Sequence, residues 1–328
     1  MCTCNGEKYL QSQLDSIAQQ TRQPDELVVS DDASTDHTVD IIRDYSATVP
    51  FPVRLYINEQ RMGSSRNFEQ AIGLCHGSVV VLSDQDDVWV INKLASMESF
   101  FVRHPDTLAL FTDAVIVDQA LRPMGHHLWD TLKFSARERR EVEDGNMIRT
   151  LLRHNVVTGA TMAFRAELRP LILPVPGGVV HDAWIALLAA VAGRVRIIFQ
   201  PLILYRQHSA NQIGVTKLSI TERIRRPCEQ RLRDASAALC LYESVTVRLR
   251  QMPAVGATPA LLDDFLRKAE HIRWRIRAIR RQDGWLRGML SEIVRGHYHR
   301  YSTGWWAVGN DLVRCRFTQH PHNSSQVP

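Results

Sequence analysis

The sequence predicts an α/β protein with a mostly parallel central sheet, followed by a basic helical extension. Three observations carry that expectation. Short apolar, β-branched runs alternate with amphipathic stretches through the N-terminal part of the chain, the pattern of a parallel sheet flanked by helices. Those runs end in polar, aspartate-bearing turns, at the strand ends where such sheets bind ligands. From Leu218 onward the apolar residues keep helical spacing and arginine becomes frequent.

The elements follow in order. Asn5-Gly6 is a turn, and Lys8 to Gln20 carries Tyr9, Leu10, Leu14 and Ile17 at helical spacing. Pro24-Asp25 stops that helix, and Glu26 to Ser30 reads as a buried strand. Asp31 to Asp36 is a polar turn, followed by a helix through Val39, Ile41, Ile42 and Tyr45. Pro52 to Asn58 alternates as a strand. Asn67 to Leu74 predicts a short helix closed by His76-Gly77 in a glycine cap. Ser78 to Leu82 is then a buried strand leading into Asp84-Gln85-Asp86-Asp87. Residues 108–118 predict further strand, 122–145 a turn-rich loop with short helices, and Asn155 to Phe164 a strand entering the site. Pro170 to Gly178 predicts a loop that delivers His181-Asp182-Ala183-Trp184 to the start of a helix over 185–192. Val195 to Phe199 is the next strand.

With 328 residues and 45% hydrophobic content, the chain suffices for one large or two modest domains. No apolar run reaches the roughly 18 residues of a membrane span. The Met1-Cys2-Thr3-Cys4 start predicts no secretory signal. The six cysteines are scattered, without a second pair at zinc spacing, and read as reduced cytosolic thiols. The net charge of +5 hides an asymmetry. From Thr221 onward nineteen Arg and Lys face ten Asp and Glu, a balance of +9, so the remainder carries −4. A basic half implies an anionic partner. No helix-turn-helix, zinc-finger or RNA-recognition signature accompanies it, so nucleic acid is not expected.

Within the tail, Leu262, Phe265, Leu266, Ala269, Ile272, Ile276 and Ile279 form a stripe that suits packing on the preceding domain. Farther on, Trp285, Leu286, Met289, Leu290, Ile293 and Val294 lie near Arg287 and Arg295, followed by Tyr298, Tyr301, Trp305 and Trp306. Aromatics beside arginines suit an anionic membrane interface, with domain packing as the alternative.

The chemistry concentrates in carboxylates. Asp84, Asp86 and Asp87 repel one another and are costly to desolvate together. A bound cation is the simplest way to hold them, and an acidic loop capping the next helix is the alternative. Thr3, Asp31-Asp32 and Asp84 to Asp87 fall on one sheet edge. Arg66, near a helix start, suits phosphate or those carboxylates. Asp182 reads either as a helix-start carboxylate favoured by the dipole or as a general base placed by a rigid helix.

Thr-x-Asn-Gly at 3–6, Asp-Asp-x-Ser-x-Asp at 31–36, Asn-x-x-x-x-Gly-x-x-x-Asn at 58–67 and Asp-Gln-Asp-Asp-x-Trp at 84–89 occur in the order seen in family-2 glycosyltransferases. The chain resembles that family over roughly residues 2–215. His-Asp-x-Trp at 181–184 and Tyr-Arg-x-His-x-x-Asn-x-x-Gly at 205–214 resemble a bacterial rhamnosyltransferase-like subgroup. The resemblance implies a GT-A-like catalytic domain over 1–217, with a nucleotide-binding half to 107 and an acceptor half from 108. A basic helical extension over 218–317 and a disordered tail over 318–328 would follow.

It further implies that Thr3, Asn5, Asp31, Asp32, Arg66 and Asp84 meet the nucleotide sugar. Asp86 would hold Mg2+ or Mn2+, with His208 either a further metal ligand or a hydrogen-bonded structural residue. Arg206 would meet phosphate. Asp182 would be the base of an inverting transfer, with His181 and Trp184 on the acceptor side. The implied donor is dTDP-L-rhamnose, or alternatively a UDP-hexose. The implied acceptor is a growing surface polysaccharide or lipid-linked glycan, reached by a cytoplasmic enzyme at the inner face of the membrane. A nucleotidyltransferase and a non-catalytic binding protein are the readings from other classes. The family also carries apolar residues before Thr-x-Asn-Gly, so the first central strand is expected to be truncated and the natural start to lie upstream.

Overall fold

The computed structural model describes residues 1–208, 227–280 and 285–317. Asn211 and Gly214 of the subgroup motif, the first residues of the extension and the tail over 318–328 lie outside them. The N-terminal half is built as its alternation predicts. β1 (Cys2–Thr3), β2 (Leu27–Asp31) and β3 (Val53–Ile57) pair in parallel in that order, with α1 (Glu7–Ala18) and α2 (Thr38–Ser46) as crossovers. Thr3 sits opposite Asp31, and Asp31 opposite Ile57, so the strands end at one edge.

β2 is buried along its length. Its side chains alternate between two cores: Val28 joins the larger one, while Leu27 and Val29 join Leu10, Leu14 and Ile17 of α1. A strand covered on both faces reads as a continuous apolar run for that reason.

The second sheet is mixed rather than parallel. Its order is β4 (Val79–Val81), β8 (Met162–Arg165), β6 (Thr107–Val117), β9 (Arg194–Arg206) and β5 (Val88–Trp89), with β7 (Pro123–His127) on β6. Only β6 and β9 run parallel; the other pairs are antiparallel. The Cys2 amide donates to Ser83 O at 3.3 Å and joins the two sheets just past β4.

Several local expectations change. α3 (Ser64–Leu74) begins one turn earlier than its apolar pattern and ends at Cys75 in extended backbone, not at a glycine cap. Asn155 to Thr158 is irregular and Gly159–Thr161 a 3-10 turn, so β8 is only the end of the expected strand. Pro170 opens α8 (Arg169–Ile172), because a proline fits a helix's first turn. The short helices expected over 122–145 are present as α5 (Leu128–Leu132) and α6 (Ala136–Glu143), and β7 is added to them.

After α4 (Lys93–Arg103) and α7 (Met147–Arg153), the apolar stretch at 181–192 forms α9 (His181–Ala192), buried from His181 to Ala189. It is the central core helix of residues 108–217, apolar all round because it is covered all round. No helix among the described residues is long and apolar enough to cross a membrane.

The extension comprises α10 (Cys228–Gln251), α11 (Pro259–Ile279), α12 (Trp285–Val294), α13 (His297–Tyr301) and α14 (Trp305–Phe317). Thr258 caps α11 by accepting from the Leu261 amide, with Pro259 at the first helical position. Tyr242, Val245, Leu249, Phe265, Ala269, Ile272 and Tyr301 belong to the same core as Trp184 to Ala189. The Tyr242 hydroxyl donates to Leu151 O at 2.6 Å, and Arg248 donates to the carbonyls of Leu171, Leu173 and Pro174. Tyr298 and Tyr301, expected at a membrane surface, are instead fully buried. Leu286, Leu290, Val294 and Trp305 are exposed.

Candidate active site

Three turns meet at the ends of β1, β2 and β4. The first two are tied together by their own side chains. Asp31 accepts from the Thr3 hydroxyl at 2.7 Å, the Ser34 amide at 2.8 Å and the Ser34 hydroxyl at 2.6 Å. Asp32 accepts from the amides of Met62 and Gly63 at 2.7 and 2.9 Å and from the Asn58 side chain at 3.2 Å. Asn5, in the left-handed region at φ 49°, accepts from the Thr35 amide at 2.8 Å. Asn67 donates to the carbonyls of Ser30 and Thr3 at 2.8 and 3.3 Å.

The expected residues are thus assembled, but Asp31 has no exposed surface. It shapes the turn rather than facing a ligand. Thr3, 1% exposed with its hydroxyl on Asp31, does the same. Asp32 orders the 58–63 loop. Arg66 is exposed and pairs with Glu69 at 2.7 Å rather than with the site carboxylates, three residues along its own helix.

The third turn is short of donors. Burial, then the neighbouring charges of Asp86 and Asp182, push Asp84 up to about 7. Asp87 is raised by burial and by Asp86 and Asp84; its Oδ1 accepts from the Arg206 amide at 3.0 Å, and its Oδ2 is buried without a hydrogen-bond partner. Asp86 Oδ2 lies 2.8 Å from His208 Nε2, and the His208 ring packs on Tyr9 at 4.7 Å. Arg206, expected on phosphate, instead donates to Asp86 O at 2.8 Å and Gln119 O at 2.7 Å, and covers the Tyr9 ring at 4.6 Å. Its work is to pin the acidic turn.

The other half contributes Asp182 in the first turn of α9. Its Oδ2 accepts from the Gly159 amide at 3.1 Å and its Oδ1 from the Ala183 amide at 2.5 Å. Burial outweighs those bonds and pushes it up to about 6. The His181 ring stacks on Phe68 at 4.0 Å; neither ring nitrogen has a hydrogen-bond partner, and burial pushes it down to about 4. Trp184, expected beside the acceptor, is fully buried, with its indole N–H on Ile172 O at 2.7 Å. A tryptophan on the inward face of a core helix is a packing residue.

Two residues that the sequence did not single out complete the site. Gln85 makes a pair of hydrogen bonds to the backbone of Cys4, at 2.8 and 3.1 Å, fastening the acidic turn to β1. Lys93 is fully buried, donates to Ala160 O at 2.9 Å and lies 4.0 Å from the Trp89 ring centre. Burial pulls it down to about 7 against the opposing influence of Asp87 and Asp84. A lysine opening a helix reads as solvated, so only its place under the acidic turn reveals it.

Comparison with known proteins agrees with this arrangement. The sequence profile of "Glycosyl transferase family 2" matches residues 1–167. An uncharacterized protein of Mycobacterium bovis is 27% identical over 214 residues, 62% of this chain, and the match spans only 57% of that relative. The dTDP-rhamnosyl transferase RfbG of Shigella flexneri is 32% identical over 98 residues, 29% of this chain and 34% of that protein. Among solved structures, S. aureus TarS in complex with UDP superposes with a TM-score of 0.52 at 18% identity, covering 83% of this chain and 89% of that one. The mannosyltransferase PcManGT from Pyrobaculum calidifontis, in complex with GDP-Man and Mn2+, gives 0.50 at 18% identity over 97% of this chain and 86% of that one. The fold is GT-A-like, and a profile match over residues 1–167 of 328 places this chain in glycosyl transferase family 2.

Proposed function

We propose that the chain is an inverting glycosyltransferase that moves a sugar from a nucleoside-diphosphate donor to an acceptor hydroxyl. The observation that carries the reading is geometric: the segment over 159–162 accepts from the Leu82 amide at Met162 O, just before the acidic turn, and donates from the Gly159 amide to Asp182, both at 3.1 Å. Burial, then the charges of Asp86 and Asp182, raises Asp84, in keeping with that closeness. Asp182, at about 6, is ionised at neutral pH yet more basic than an ordinary aspartate, which suits a general base. It takes the acceptor proton as the hydroxyl oxygen bonds to the anomeric carbon. The bond from that carbon to the diphosphate breaks on the opposite face, so the centre inverts in one step.

The donor set fits a divalent ion. Asp86 Oδ2 and His208 Nε2 converge at 2.8 Å, and Asp87 Oδ2 is a buried oxygen lacking a partner. Mg2+ or Mn2+ held by Asp86 and His208 would neutralise the departing diphosphate. Asp32, Asn5 and Asp84 line the nucleotide's side. His181 lies beside the base, toward the acceptor.

The partial likeness to RfbG and the motifs at 84–89 and 181–184 support dTDP-rhamnose as donor. Likeness to the Escherichia coli glucosyltransferase WfgD, named as using UDP-Glc and 28% identical over 104 residues, supports a UDP-hexose as the second reading. A lipid-linked glycan acceptor at an anionic membrane is supported by exposed Leu286, Leu290 and Val294, at four-residue spacing on α12 beside exposed Arg287 and Arg295. Failure to sediment with anionic-lipid vesicles would remove the membrane from this reading.

A panel of nucleotide sugars, assayed with and without Mn2+ for transfer and for donor hydrolysis, tests the class. Asp182→Asn should lower turnover by about 10²- to 10⁴-fold with donor affinity nearly unchanged, and wild-type turnover should fall as pH drops through 6. Equal losses of donor affinity and turnover would take the base role from Asp182. Release of free pyrophosphate would mark a nucleotidyltransferase instead.

A further inference from the structure

The extension encloses a polar centre that sugar transfer does not use. His271 of α11, Glu292 of α12 and His297 of α13 are all buried. One nitrogen from each ring and one carboxylate oxygen lie within 4.8 Å of one another. Glu292 Oε2 is 2.5 Å from His271 Nδ1 and 3.0 Å from His297 Nδ1. The far nitrogen of His271 is 3.0 Å from the Ser302 hydroxyl, the kind of outer contact that orients a metal-bound imidazole.

The cations nearby are engaged elsewhere. Arg275 grips Asp311 with two bonds of 2.9 Å, and Lys268 donates to Tyr301 O at 2.6 Å. Among the described residues, the ion-pair partners of buried Glu292 are His271 and His297.

We propose that His271, Glu292 and His297 form a structural site for a borderline divalent ion, Zn2+ in particular. Two imidazole nitrogens and one carboxylate oxygen are a donor set that zinc accepts and that Mg2+ and Ca2+, which prefer oxygen, do not. Bonds of about 2.0–2.2 Å to a tetrahedral ion place ligand atoms roughly 3.3 Å apart. The carboxylate contacts of 2.5 and 3.0 Å would lengthen by a fraction of an ångström, and the imidazole nitrogens already lie within 4.8 Å of each other. The site also meets a structural need. The apolar cluster beside it consists of Trp274, Ala278, Met289, Tyr298, Ala307 and Val308 with Trp285 and Ile293 at its edge. A core that small fixes short helices poorly without a staple. The three ligands come from three successive helices, so one ion would tie them all.

The untagged full chain, purified without added metal, should carry about one equivalent of zinc by elemental analysis. Stripping it with a chelator should lower the melting temperature by at least roughly 4 °C. Cobalt should replace it with the visible absorption of a tetrahedral nitrogen–oxygen site. His271→Gln and His297→Gln should each lose the zinc and the sensitivity to chelator. Asp86→Asn should keep both, which separates this site from the proposed catalytic one. Should the glutamine variants fail to fold, His297→Cys retains a ligand and should bind cobalt with thiolate charge-transfer absorption. A folded, zinc-free chain that melts at the same temperature in Zn2+ and in chelator overturns the proposal. Zinc retained in both glutamine variants overturns it equally. Metal content is read without turnover, so this site stands or falls apart from sugar transfer.

Discussion

The turns after β2 and β4 both carry adjacent aspartates at the end of a buried strand, yet they are built on opposite principles. Asp31 and Asp32 each accept three hydrogen bonds from the protein. Their charge is balanced by donors that the fold supplies, so that turn is rigid and complete. In the turn after β4, Asp84 is raised by burial and then by its like-charged neighbours, and Asp87 leaves one oxygen unpartnered. Buried carboxylates without donors favour protonation or a cation. Identical residue types thus make a donor-filled turn in one place and, in the proposed reading, a cation site in the other. The difference lies in the amides of Ser34, Met62 and Gly63; in the second turn the Arg206 amide reaches one oxygen of Asp87.

The largest test of this contrast sets Asp86→Asn against Asp31→Asn. Asp86→Asn should lose turnover by roughly 10³-fold and with it the response to Mn2+, while melting near the wild-type temperature. Asp31→Asn puts an amide where three donors converge and should cost about 2–3 kcal/mol of stability, with metal response kept in whatever folds. Equal loss of metal response in the two variants would break the comparison.

A smaller effect follows from pH. Asp84 goes from 3.8 unfolded to about 7 folded, so its stabilising contribution is full below 3.8 and is lost as pH rises through 7. Melting should therefore decline between pH 5 and 8. Asp84→Asn should flatten that decline, by up to about 3 kcal/mol at pH 8, and saturating Mn2+ should flatten it in the wild type. An unchanged slope in the variant would show that Asp84 is not the strained carboxylate. The smallest effect belongs to Gly63, whose φ of 84° lets its amide reach Asp32. Gly63→Ala should cost about 1 kcal/mol and weaken donor binding without touching metal response.

Local pattern made the first sheet legible. The runs at 27–31 and 53–57 lie within a residue of the expected strands, and Thr3 and Asp31 meet at one edge as expected, whereas Asp84 to Asp87 follow a strand of the second sheet. The mixed second sheet was not legible, because its pairings are long-range. Val88 and Trp89 pair with Leu204 and Ile203, more than a hundred residues away, and no local signal records that. The place of Asp182 at the start of an apolar helix was legible. Trp184 was misassigned because an aromatic beside that motif reads equally as ligand or core; only burial decides. Lys93 and Arg206 show the same limit in reverse. Their chemistry depends on what covers them, and the covering residues come from other parts of the chain.

The packing of α10 against the acceptor half has a consequence for how the protein is made. Tyr242 bonds Leu151 across 91 residues, and Arg248 reaches the Leu171 and Leu173 carbonyls from a similar distance. Chains emerge from the ribosome N-terminus first, so the parallel sheet can close early while the acceptor half waits for its final wall. Until α10 and α11 arrive, the apolar faces that receive Val245, Leu249 and Phe265 stand open. A nascent chain paused before α10 emerges is then the species most exposed to aggregation.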